Sequence, residues 1–321
     1  MSFSQNSKIY IAGHNGMVGS AICRKLNSLG YHNLILKSSK DLDLRNQKQT
    51  QDFFKKEQPE FVFLAAAKVG GILANSTFKA DFIYDNLMIQ NNVIKSAHTY
   101  GVEKLLFLGS SCIYPKDSLQ PIKEQYLLSG YLEATNEPYA IAKIAGLKMC
   151  EYFREQHGCN FISAMPTNLY GPNDNFDPKT SHVFAALIKK FHDAKINNQP
   201  KVELWGSGSP KREFLHVEDL ANALIFLMKN YDSKETINVG TGEDISIKEL
   251  SYSMQNIIGF NGDIEWNNSM PDGTARKLLD VSKINNLGWK ADIKLNTGIA
   301  LTYDWYTCLL YTSDAADDRD S

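Results

Sequence analysis

Short apolar runs alternate with longer stretches of helical periodicity over the first half of the chain. The runs typical of buried strands are KIYIA, NLILK, FVFLAAA, KLLFL and FISAM. Between them, apolar residues recur at helical spacing over residues 17–29, 47–57, 77–100 and 138–157. Strand and helix therefore alternate, which predicts a doubly wound α/β fold whose parallel sheet is covered by helices on both faces.

The pattern also predicts how the chain divides, because it changes after about Pro172. Helical periodicity then occurs over 182–194, 217–229 and 247–258, with short strands such as KVELW and TINVG. We predict a first domain over 1–172 and a smaller C-terminal α/β lobe mainly over 173–306. The run CLLYTSDAAD resembles translated sequencing-adapter DNA, so 307–321 is predicted to be a non-native tail.

Charge and cysteine content exclude several classes of protein. The formal net charge is −2 and the charges are scattered, so no basic face for nucleic acid is expected. No N-terminal apolar segment and no run of about 18 apolar residues is present, so neither secretion nor a membrane span is expected and the cytoplasm is the predicted location. Five cysteines form no CxxC pair and no His/Cys metal spacing, which argues against disulfides and against a metal site.

The turn after the first strand carries candidate chemistry. It reads AGHNGMVGSA and places Gly13, Gly16 and Gly19 between the strand and the first helix. Such glycines permit a tight turn and a close approach of pyrophosphate to the backbone, and the helix N-terminus attracts the anion. Glycines also simply end strands, but the position of these three favours a Rossmann-type dinucleotide site.

The end of the second strand indicates which dinucleotide binds. NAD proteins have an acid there that accepts the ribose 2′-hydroxyl, whereas this chain has Lys37, Ser38, Ser39 and Lys40. Cations and hydroxyls suit a 2′-phosphate, so NADPH is favoured over NADH. A solvated loop with ordinary lysines is the alternative.

Three further residues suggest proton transfer to a carbonyl group. Tyr139 and Lys143, in PYAIAK, are four apart and share one helix face, where the ammonium is expected to lower the pKa of the phenol. Ser110 follows the strand KLLFL and would hydrogen-bond the same carbonyl oxygen. An exposed Tyr/Lys pair on a helix is the alternative, but the order of glycine turn, serine and YxxxK favours a reductase.

Seven segments together resemble a known family, the extended short-chain dehydrogenase/reductases that act on nucleotide sugars, and within it the enzymes that make GDP-L-fucose. The resemblance covers about Lys8 to Tyr306 and rests on GHNGMVGSA, AAAKVGGI, LGSSCIYPK, EPYAIAKIAG, PTNLYGPNDNF, WGSGSPKREFLHV and PDGTARKLLDV. It implies NADPH as cofactor and conversion of GDP-4-keto-6-deoxy-D-mannose to GDP-L-fucose, by epimerisation at C3 and C5 and then reduction at C4. It also implies a GDP-sugar as partner and a homodimer formed through the helices over 77–100 and 138–157.

The resemblance further implies a set of site residues. Cys112 stands where the family has its epimerisation base and His182, in KTSHV, where it has the partner acid. The implied catalytic residues are Ser110, Cys112, Tyr139, Lys143 and His182. The implied cofactor-binding residues are Gly13, Asn15, Gly16, Met17, Val18, Gly19, Lys37, Ser39, Lys40, Leu108, Gly109, Lys143, Pro166, Asn168, Leu169 and His182. The implied substrate-binding residues are Ser110, Ser111, Asn168, Lys190, Trp205, Arg212 and Asp272.

Alternatives stay open for several of these residues. Without the resemblance, Cys112 is typical of a small buried hydrophobe and His182 of a structural group. Trp205 suits the core of the lobe, Lys190 a solvated helix face, and Asn168 either substrate binding or loop closure. Many relatives have a basic residue where this chain has Asn15, which removes one expected contact to the 2′-phosphate.

Three other activities and one non-catalytic function compete with the implied activity. Sugar dehydratases have an Asp-Glu pair where this chain has Ser111 and Cys112, which disfavours dehydration. A nucleotide-sugar 4-epimerase shares Ser110, Tyr139 and Lys143 but retains NAD and needs no Cys/His pair, and a simple 4-keto reductase needs no such pair either. A non-catalytic dinucleotide-sensing protein would generally have lost the Tyr or the Lys.

Overall fold

The computed structural model describes residues 3–177, 180–270 and 272–317. In chain order the strands are β1 (Ile9–Ala12), β2 (Leu34–Ile35), β3 (Phe61–Leu64), β4 (Lys104–Leu108), β5 (Phe161–Pro166), β6 (Asn168–Tyr170), β7 (Lys201–Trp205), β8 (Lys211–His216), β9 (Ile237–Val239), β10 (Asp244–Ser246), β11 (Asp263–Asn267) and β12 (Arg276–Lys277). The α-helices are α1 (Met17–Ser28), α2 (Gln47–Glu57), α3 (Ile72–Thr77), α4 (Lys79–Thr99), α5 (Glu137–His157), α6 (Val183–Ile196), α7 (Val217–Asn230), α8 (Ile247–Ile258), α9 (Ser282–Asn286) and α10 (Leu295–Asp317).

A parallel sheet in the order β2-β1-β3-β4-β5-β9 forms the first domain. Every residue of β1, β3, β4 and β5 is buried, as expected for strands covered on both faces. One helical layer contains α1 against α7, and the other contains α2 against α4 and α4 against α5. The predicted Rossmann-type doubly wound fold is confirmed. The order reverses between β1 and β3, which is where such sheets bind ligands.

The smaller lobe has its own core. β8 pairs with β6, β10 and β12, and β7 pairs in parallel with β11. Beneath these strands, α6, α8 and α10 enclose an aromatic cluster in which the rings of Tyr170 and Phe184 stack with centroids 3.9 Å apart. This lobe therefore packs independently of the main sheet.

The chain crosses back to the first domain within the C-terminal half. α7 packs against α1, and β9 pairs with β5 at the edge of the main sheet. The stretches 217–229 and TINVG, which the sequence pattern assigns to the smaller lobe, thus belong to the first domain. A short run of apolar residues predicts a buried strand but does not predict which sheet the strand joins. For this reason the sequence pattern could not place TINVG in the main sheet.

The C-terminal helix α10 runs through residue 307, where the non-native tail is predicted to begin, and 318–321 lie outside the described residues. Within the described part of the chain, no helix combines the length and the apolar character needed to cross a bilayer. In the same part, no group of three or more His, Cys, Asp or Glu side chains could hold a metal ion.

A buried lysine joins the main sheet to α7. The ammonium of Lys104, at the start of β4, donates to the carbonyl oxygens of Leu227 (3.2 Å), Met228 (2.8 Å) and Tyr231 (2.6 Å). These carbonyls lie at the C-terminal end of α7 and its cap residue Tyr231, where positive charge is favourable, and the Leu227 carbonyl also accepts from the amide of Tyr231. Burial nevertheless lowers the pKa of Lys104 to about 8.

We expect Lys104→Met to lower the free energy of unfolding by about 2–4 kcal/mol, because it leaves buried carbonyl groups without donors. Urea denaturation followed by circular dichroism measures this loss. Lys55→Met is the matched control: Lys55 is exposed near the C-terminal end of α2, and its replacement should change stability by less than about 0.5 kcal/mol. Equal effects of the two substitutions would contradict the prediction.

Candidate active site

The glycine turn ends β1 at the switch point. Gly13 has φ +85°, and a Cβ atom there would lie 2.8 Å from Cα of Ala66, just after β3. A Cβ atom on Gly19 would lie 2.1 Å from the carbonyl oxygen of Gly13. Both contacts are too close for any side chain, so the turn and the first helical turn pack as closely as a dinucleotide site requires.

The N-terminus of α1 is prepared for an anion. Gly16 is its N-cap residue, no side chain caps it, and no acidic residue lies in its first turn. The free amide groups therefore remain available to a phosphate. Within the described residues, His14 Nδ1 in the same turn is buried without a hydrogen-bond partner. These features fit the pyrophosphate of a nicotinamide dinucleotide.

The loop after β2 lies beside this turn. Ser38 Oγ donates to Asp41 (2.6 Å), and this bond, with smaller contributions from Lys37 and His14, lowers the pKa of the Asp41 carboxyl. Lys37 and His14, which belongs to the glycine turn, therefore act on the same carboxyl group. Ser39, Lys40 and Asn15 are exposed on these loops. His14 and Asp41 were not singled out from the sequence.

The segment GSSC forms a sharp turn at the end of β4. A Cβ atom on Gly109 would lie 2.3 Å from the sulfur of Met165, so any larger residue there would displace the side chain of Met165. Ser110 then caps a single 3-10 turn over Ser111–Ile113 and its Oγ accepts from the amide of Cys112 (3.4 Å). Ser111 and Cys112 are buried. The turn brings the hydroxyl and the thiol to the same edge of the sheet.

Tyr139 and Lys143 reach this edge from the first turns of α5. The phenol of Tyr139 hydrogen-bonds the side chain of Ser110, which connects the predicted serine and tyrosine. The ammonium of Lys143 donates to the carbonyl oxygen of Leu108 (2.8 Å) and lies 5.7 Å from the centre of the Tyr139 ring. The structure therefore brings Ser110, Tyr139 and Lys143 together.

The expected effect of Lys143 on Tyr139 is wrong. Burial raises the pKa of the phenol well above its usual value, the charge of Cys112 raises it further, and only the Ser110 hydrogen bond opposes the change. Burial also lowers the pKa of Lys143 to about 8. Desolvation dominates because both groups lie inside the protein. Tyr139 is therefore a protonated donor at neutral pH.

Cys112 and His182 face a common cation that the sequence analysis missed. Burial raises the pKa of the Cys112 thiol, and the ammonium of Lys277 is the largest opposing influence. Burial lowers the pKa of His182, the N-cap residue of α6, and Lys277 lowers it further. The charge of Lys277 thus acts on both groups. In the KTSHV region, Lys179 and the preceding Pro178 lie outside the described residues.

The predicted substrate residues form a second group on the smaller lobe. The ammonium of Lys190 lies 5.6 Å from the ring centre of Trp205, and the Asp272 carboxylate accepts from the amide and the hydroxyl of Ser207 (both 2.7 Å). Trp205 is 62% exposed, so it is not part of the lobe core. Arg212 is half-buried and donates to the carbonyl oxygen of Lys211 (2.7 Å).

Asn168 takes part in loop closure through its amide nitrogen. Its Nδ2 donates to the carbonyl oxygen of Glu213 (2.8 Å), which ties the linker after Pro166 to β8. The Glu213 carboxylate is fully buried and accepts from the amides of Gly242 (2.7 Å) and Leu279 (2.9 Å). Glu213 therefore fixes Asn168 and Leu169 on one side and the strand that carries Lys277 on the other.

Residues 9–240 match the family described as "NAD dependent epimerase/dehydratase family". The GDP-L-fucose synthase 1 of Arabidopsis thaliana is 56% identical over 302 residues, which are 94% of this chain and 94% of that protein.

Two solved structures are also similar. A GDP-L-fucose synthetase from Naegleria fowleri bound to NADP has a TM-score of 0.90 at 29% identity and covers 97% of each chain. A GDP-mannoheptose C4 reductase from Campylobacter jejuni with NADP bound has a TM-score of 0.89 at 44% identity, covering 95% of this chain and all of that one. Because the family match covers most of the chain and relatives exceed 30% identity, the chain belongs to the NAD dependent epimerase/dehydratase family.

Proposed function

We propose that the protein converts GDP-4-keto-6-deoxy-D-mannose to GDP-L-fucose with NADPH, by epimerisation at C3 and C5 followed by reduction at C4. The observation that carries the proposal is a thiol, Cys112, beside the Ser110, Tyr139 and Lys143 group, together with an imidazole, His182, whose pKa is lowered by burial and by the same lysine, Lys277, that acts on the thiol. A reductase alone does not require the thiol or the imidazole. The name GDP-L-fucose synthase, carried by a relative at 56% identity, supports the same activity.

Epimerisation begins with the removal of a proton next to the keto group. The Cys112 thiolate takes this proton to form an S–H bond, and the C–H electron pair moves into an enolate. The hydroxyls of Ser110 and Tyr139 donate to the enolate oxygen and stabilise its charge. His182 then donates a proton to the opposite face of the same carbon, which inverts the centre. We assign this sequence to both C3 and C5. Between the two inversions the Cys112 thiol releases its proton to solvent and His182 takes one up, which restores both groups.

Reduction uses the same oxygen. C4 would accept the hydride that NADPH supplies when it is held at the glycine turn. Tyr139 donates its proton to the C4 oxygen, and the raised pKa of the phenol keeps that proton in place at neutral pH. Ser110 holds the phenol by a hydrogen bond. Lys143, held by the Leu108 carbonyl, keeps a positive charge near the ring.

The remaining predicted residues are assigned to binding. We assign the cofactor pyrophosphate to the glycine turn and the 2′-phosphate to the loop that contains Lys37, Ser39 and Lys40. The diphosphate of the substrate is assigned to Arg212, because a guanidinium group suits phosphate oxygens. Lys190, Trp205 and Asp272 form the adjoining wall. The Asn168 side chain acts in loop closure, as its bond to Glu213 indicates.

A simple C4 reductase is the second candidate. It is favoured by the similarity to the Campylobacter jejuni C4 reductase, and it would use only Ser110, Tyr139 and Lys143. Cys112 and His182 would then be structural groups. A 4-epimerase that retains NAD fits less well, because the loop after β2 offers lysines where such enzymes need an acid.

We also propose that two copies associate through α4 and α5, and the cytoplasm stays the predicted location. These helices pack against each other and expose Tyr84 (62%), Ile141 (42%) and Tyr152 (56%). Ile141 and Tyr152 are three helical turns apart and lie on one face of α5. A second copy would cover this apolar surface.

The first prediction about function tests the proposed activity itself. The chain is incubated in heavy water with NADPH and GDP-4-keto-6-deoxy-D-mannose, and the product is read by mass spectrometry and NMR. We expect fucose stereochemistry with deuterium at C3 and C5. NADH in place of NADPH should slow the reduction and leave the exchange. Reduction without deuterium would establish the simple reductase instead.

The second prediction separates the two steps by mutation. Cys112→Ser should lower deuterium exchange by at least about 100-fold, because a hydroxyl is a much weaker base than a thiolate, and NADPH binding should be unchanged. Tyr139→Phe should retain part of the exchange and lower reduction by at least about 100-fold. Cys308→Ser, at an exposed cysteine, is the control. A Cys112→Ser enzyme that exchanges at the parental rate would refute the role of Cys112.

The third prediction concerns the oligomer. Light scattering should give a mass of two chains, and Ile141→Glu should reduce it to one chain, because a charge would be buried in the interface. Leu119→Glu, at another exposed apolar position (73%) that is not part of α4 or α5, should leave the mass unchanged. A single-chain mass for the parent protein would contradict the proposal.

A further inference from the structure

A buried hydrogen bond holds the chain just after the turn that carries Ser110 and Cys112. Tyr114 ends the 3-10 turn, two positions after Cys112, and its side chain is buried. Its hydroxyl donates to Oδ1 of Asn238 (2.6 Å), and Asn238 is fully buried in the middle of β9. Buried polar groups of this kind need a partner. The bond therefore links the candidate catalytic turn to the edge strand of the main sheet.

The side chain of Asn238 joins three segments of the chain. While Oδ1 accepts from Tyr114, Nδ2 donates to the carbonyl oxygens of Ile122 (3.0 Å) and Asp280 (3.1 Å). The last two segments also pair with each other. The amide of Ile122 donates to the carbonyl oxygen of Leu278 (2.7 Å), and the amide of Asp280 donates to that of Ile122 (2.8 Å). The position of Tyr114 is thus fixed relative to the segment 278–280.

The segment 278–280 continues directly from a wall of the substrate site. It follows β12, which pairs in parallel with β8 so that Lys277 stands opposite Arg212. Arg212 is the residue to which the substrate diphosphate is assigned. Hydrogen bonds therefore run from the strand of Arg212 through β12 and 278–280 to Asn238 and Tyr114. A diphosphate bound at Arg212 and the catalytic turn are held at a set distance by these contacts.

The catalytic turn has weak hydrogen bonds of its own. The amide of Ile113 donates to the carbonyl oxygen of Ser110 (3.3 Å), and the amide of Tyr114 donates to that of Ser111 (3.5 Å). Both distances are long for a bond between a backbone amide and a carbonyl. The shape and position of the turn therefore depend on contacts outside it, and the bond of Tyr114 to Asn238 is the shortest side-chain contact that the segment 110–114 makes among the described residues.

We propose that Tyr114 is a positioning residue: through its hydrogen bond to Asn238 it sets the place of Ser110 and Cys112 relative to the bound diphosphate. Its contribution to turnover rests on the proposed function, whereas its effect on the order of the turn does not. Proton transfer requires close approach of the reacting atoms, and a misplacement of about 1 Å can cost about 100-fold in rate. A buried bond next to the turn is suited to prevent such a shift.

The test removes one hydroxyl, by Tyr114→Phe, and measures steady-state turnover of GDP-4-keto-6-deoxy-D-mannose with NADPH. We expect kcat to fall at least about tenfold. KM for the sugar nucleotide should change less than about twofold, because Arg212 and its strand keep their contacts. Deuterium incorporation at C3 and C5 and reduction at C4 should both slow, because the turn carries Ser110 as well as Cys112. This joint loss differs from that expected for Cys112→Ser.

Tyr231→Phe is the matched control. Tyr231 is also a buried tyrosine, and its hydroxyl donates to the carbonyl oxygen of Glu235 (2.7 Å). It lies beside Lys104 at the start of β4, whereas Ser110 follows the end of that strand. Both substitutions should lower the melting temperature by about 2 °C, since each removes one hydrogen bond, but Tyr231→Phe should leave kcat unchanged. Equal losses of kcat in the two variants would overturn the inference.

A second variant tests the route through Asn238. Asn238→Ser removes the amide that accepts from Tyr114, and it should lower kcat at least as much as Tyr114→Phe does. If both act through one bond, adding Tyr114→Phe to Asn238→Ser should lower kcat no further. Multiplied losses in the double variant would contradict the assignment.

A last measurement needs neither substrate nor activity. Amide hydrogen exchange of the peptide 109–116, followed by mass spectrometry, should be about fivefold faster in Tyr114→Phe, because the turn loses the bond that holds it. It should be unchanged in Tyr231→Phe. Parental kcat or parental amide exchange in Tyr114→Phe would overturn the inference. A parent protein that forms no GDP-L-fucose would instead refute the proposed function, while amide exchange would still decide the effect of Tyr114 on the turn.

Discussion

The buried carboxylate of Glu213 is the constraint on which the site depends. The two carboxylate oxygens accept hydrogen bonds from the amides of Gly242 and Leu279, and the backbone carbonyl oxygen of Glu213 accepts one from the side chain of Asn168. A Cβ atom on Gly240 would lie 2.2 Å from Oε1, so the chain must be glycine where it passes this group. A single residue of β8 thus ties the end of the main sheet, the turn before β10 and the strand of Lys277. Glu213 therefore fixes the two hydrophobic cores relative to each other at the place where the reacting groups meet.

Most of the main sheet could be predicted from the sequence because its strands are buried on both faces. A run such as FVFL or LLFL has no polar residue on either side, and such runs separated by periodic helices allow few architectures. The position of β9 could not be predicted in the same way, since three apolar residues show burial without showing a neighbour. The strand expected over NLILK is only Leu34–Ile35 in the structure, because edge strands receive less support from packing.

Those parts of the site could be predicted in which the spacing of residues within one motif fixes how their side chains lie. A tyrosine and a lysine four apart on a helix must share a face, and glycines at a strand-to-helix turn must leave room for a ligand. Lys277 and Glu213 carry no such local signal. Glu213 binds the amide of Leu279, 66 positions away in the chain, and the pairing of β8 with β12 brings these segments together. Similarly, the helix spacing of Tyr139 and Lys143 shows that they are neighbours but not that desolvation outweighs their mutual charge.

One consequence follows from the position of Ser110. Its hydroxyl touches the amide of Cys112 and the phenol of Tyr139, so the group that would hold the enolate is also the group that would guide the final proton. A sugar bound with its C4 oxygen at this hydroxyl would not have to leave or turn over between the inversion of its carbons and its reduction. The reactive keto intermediates would stay enclosed, and no second protein would be needed to receive them.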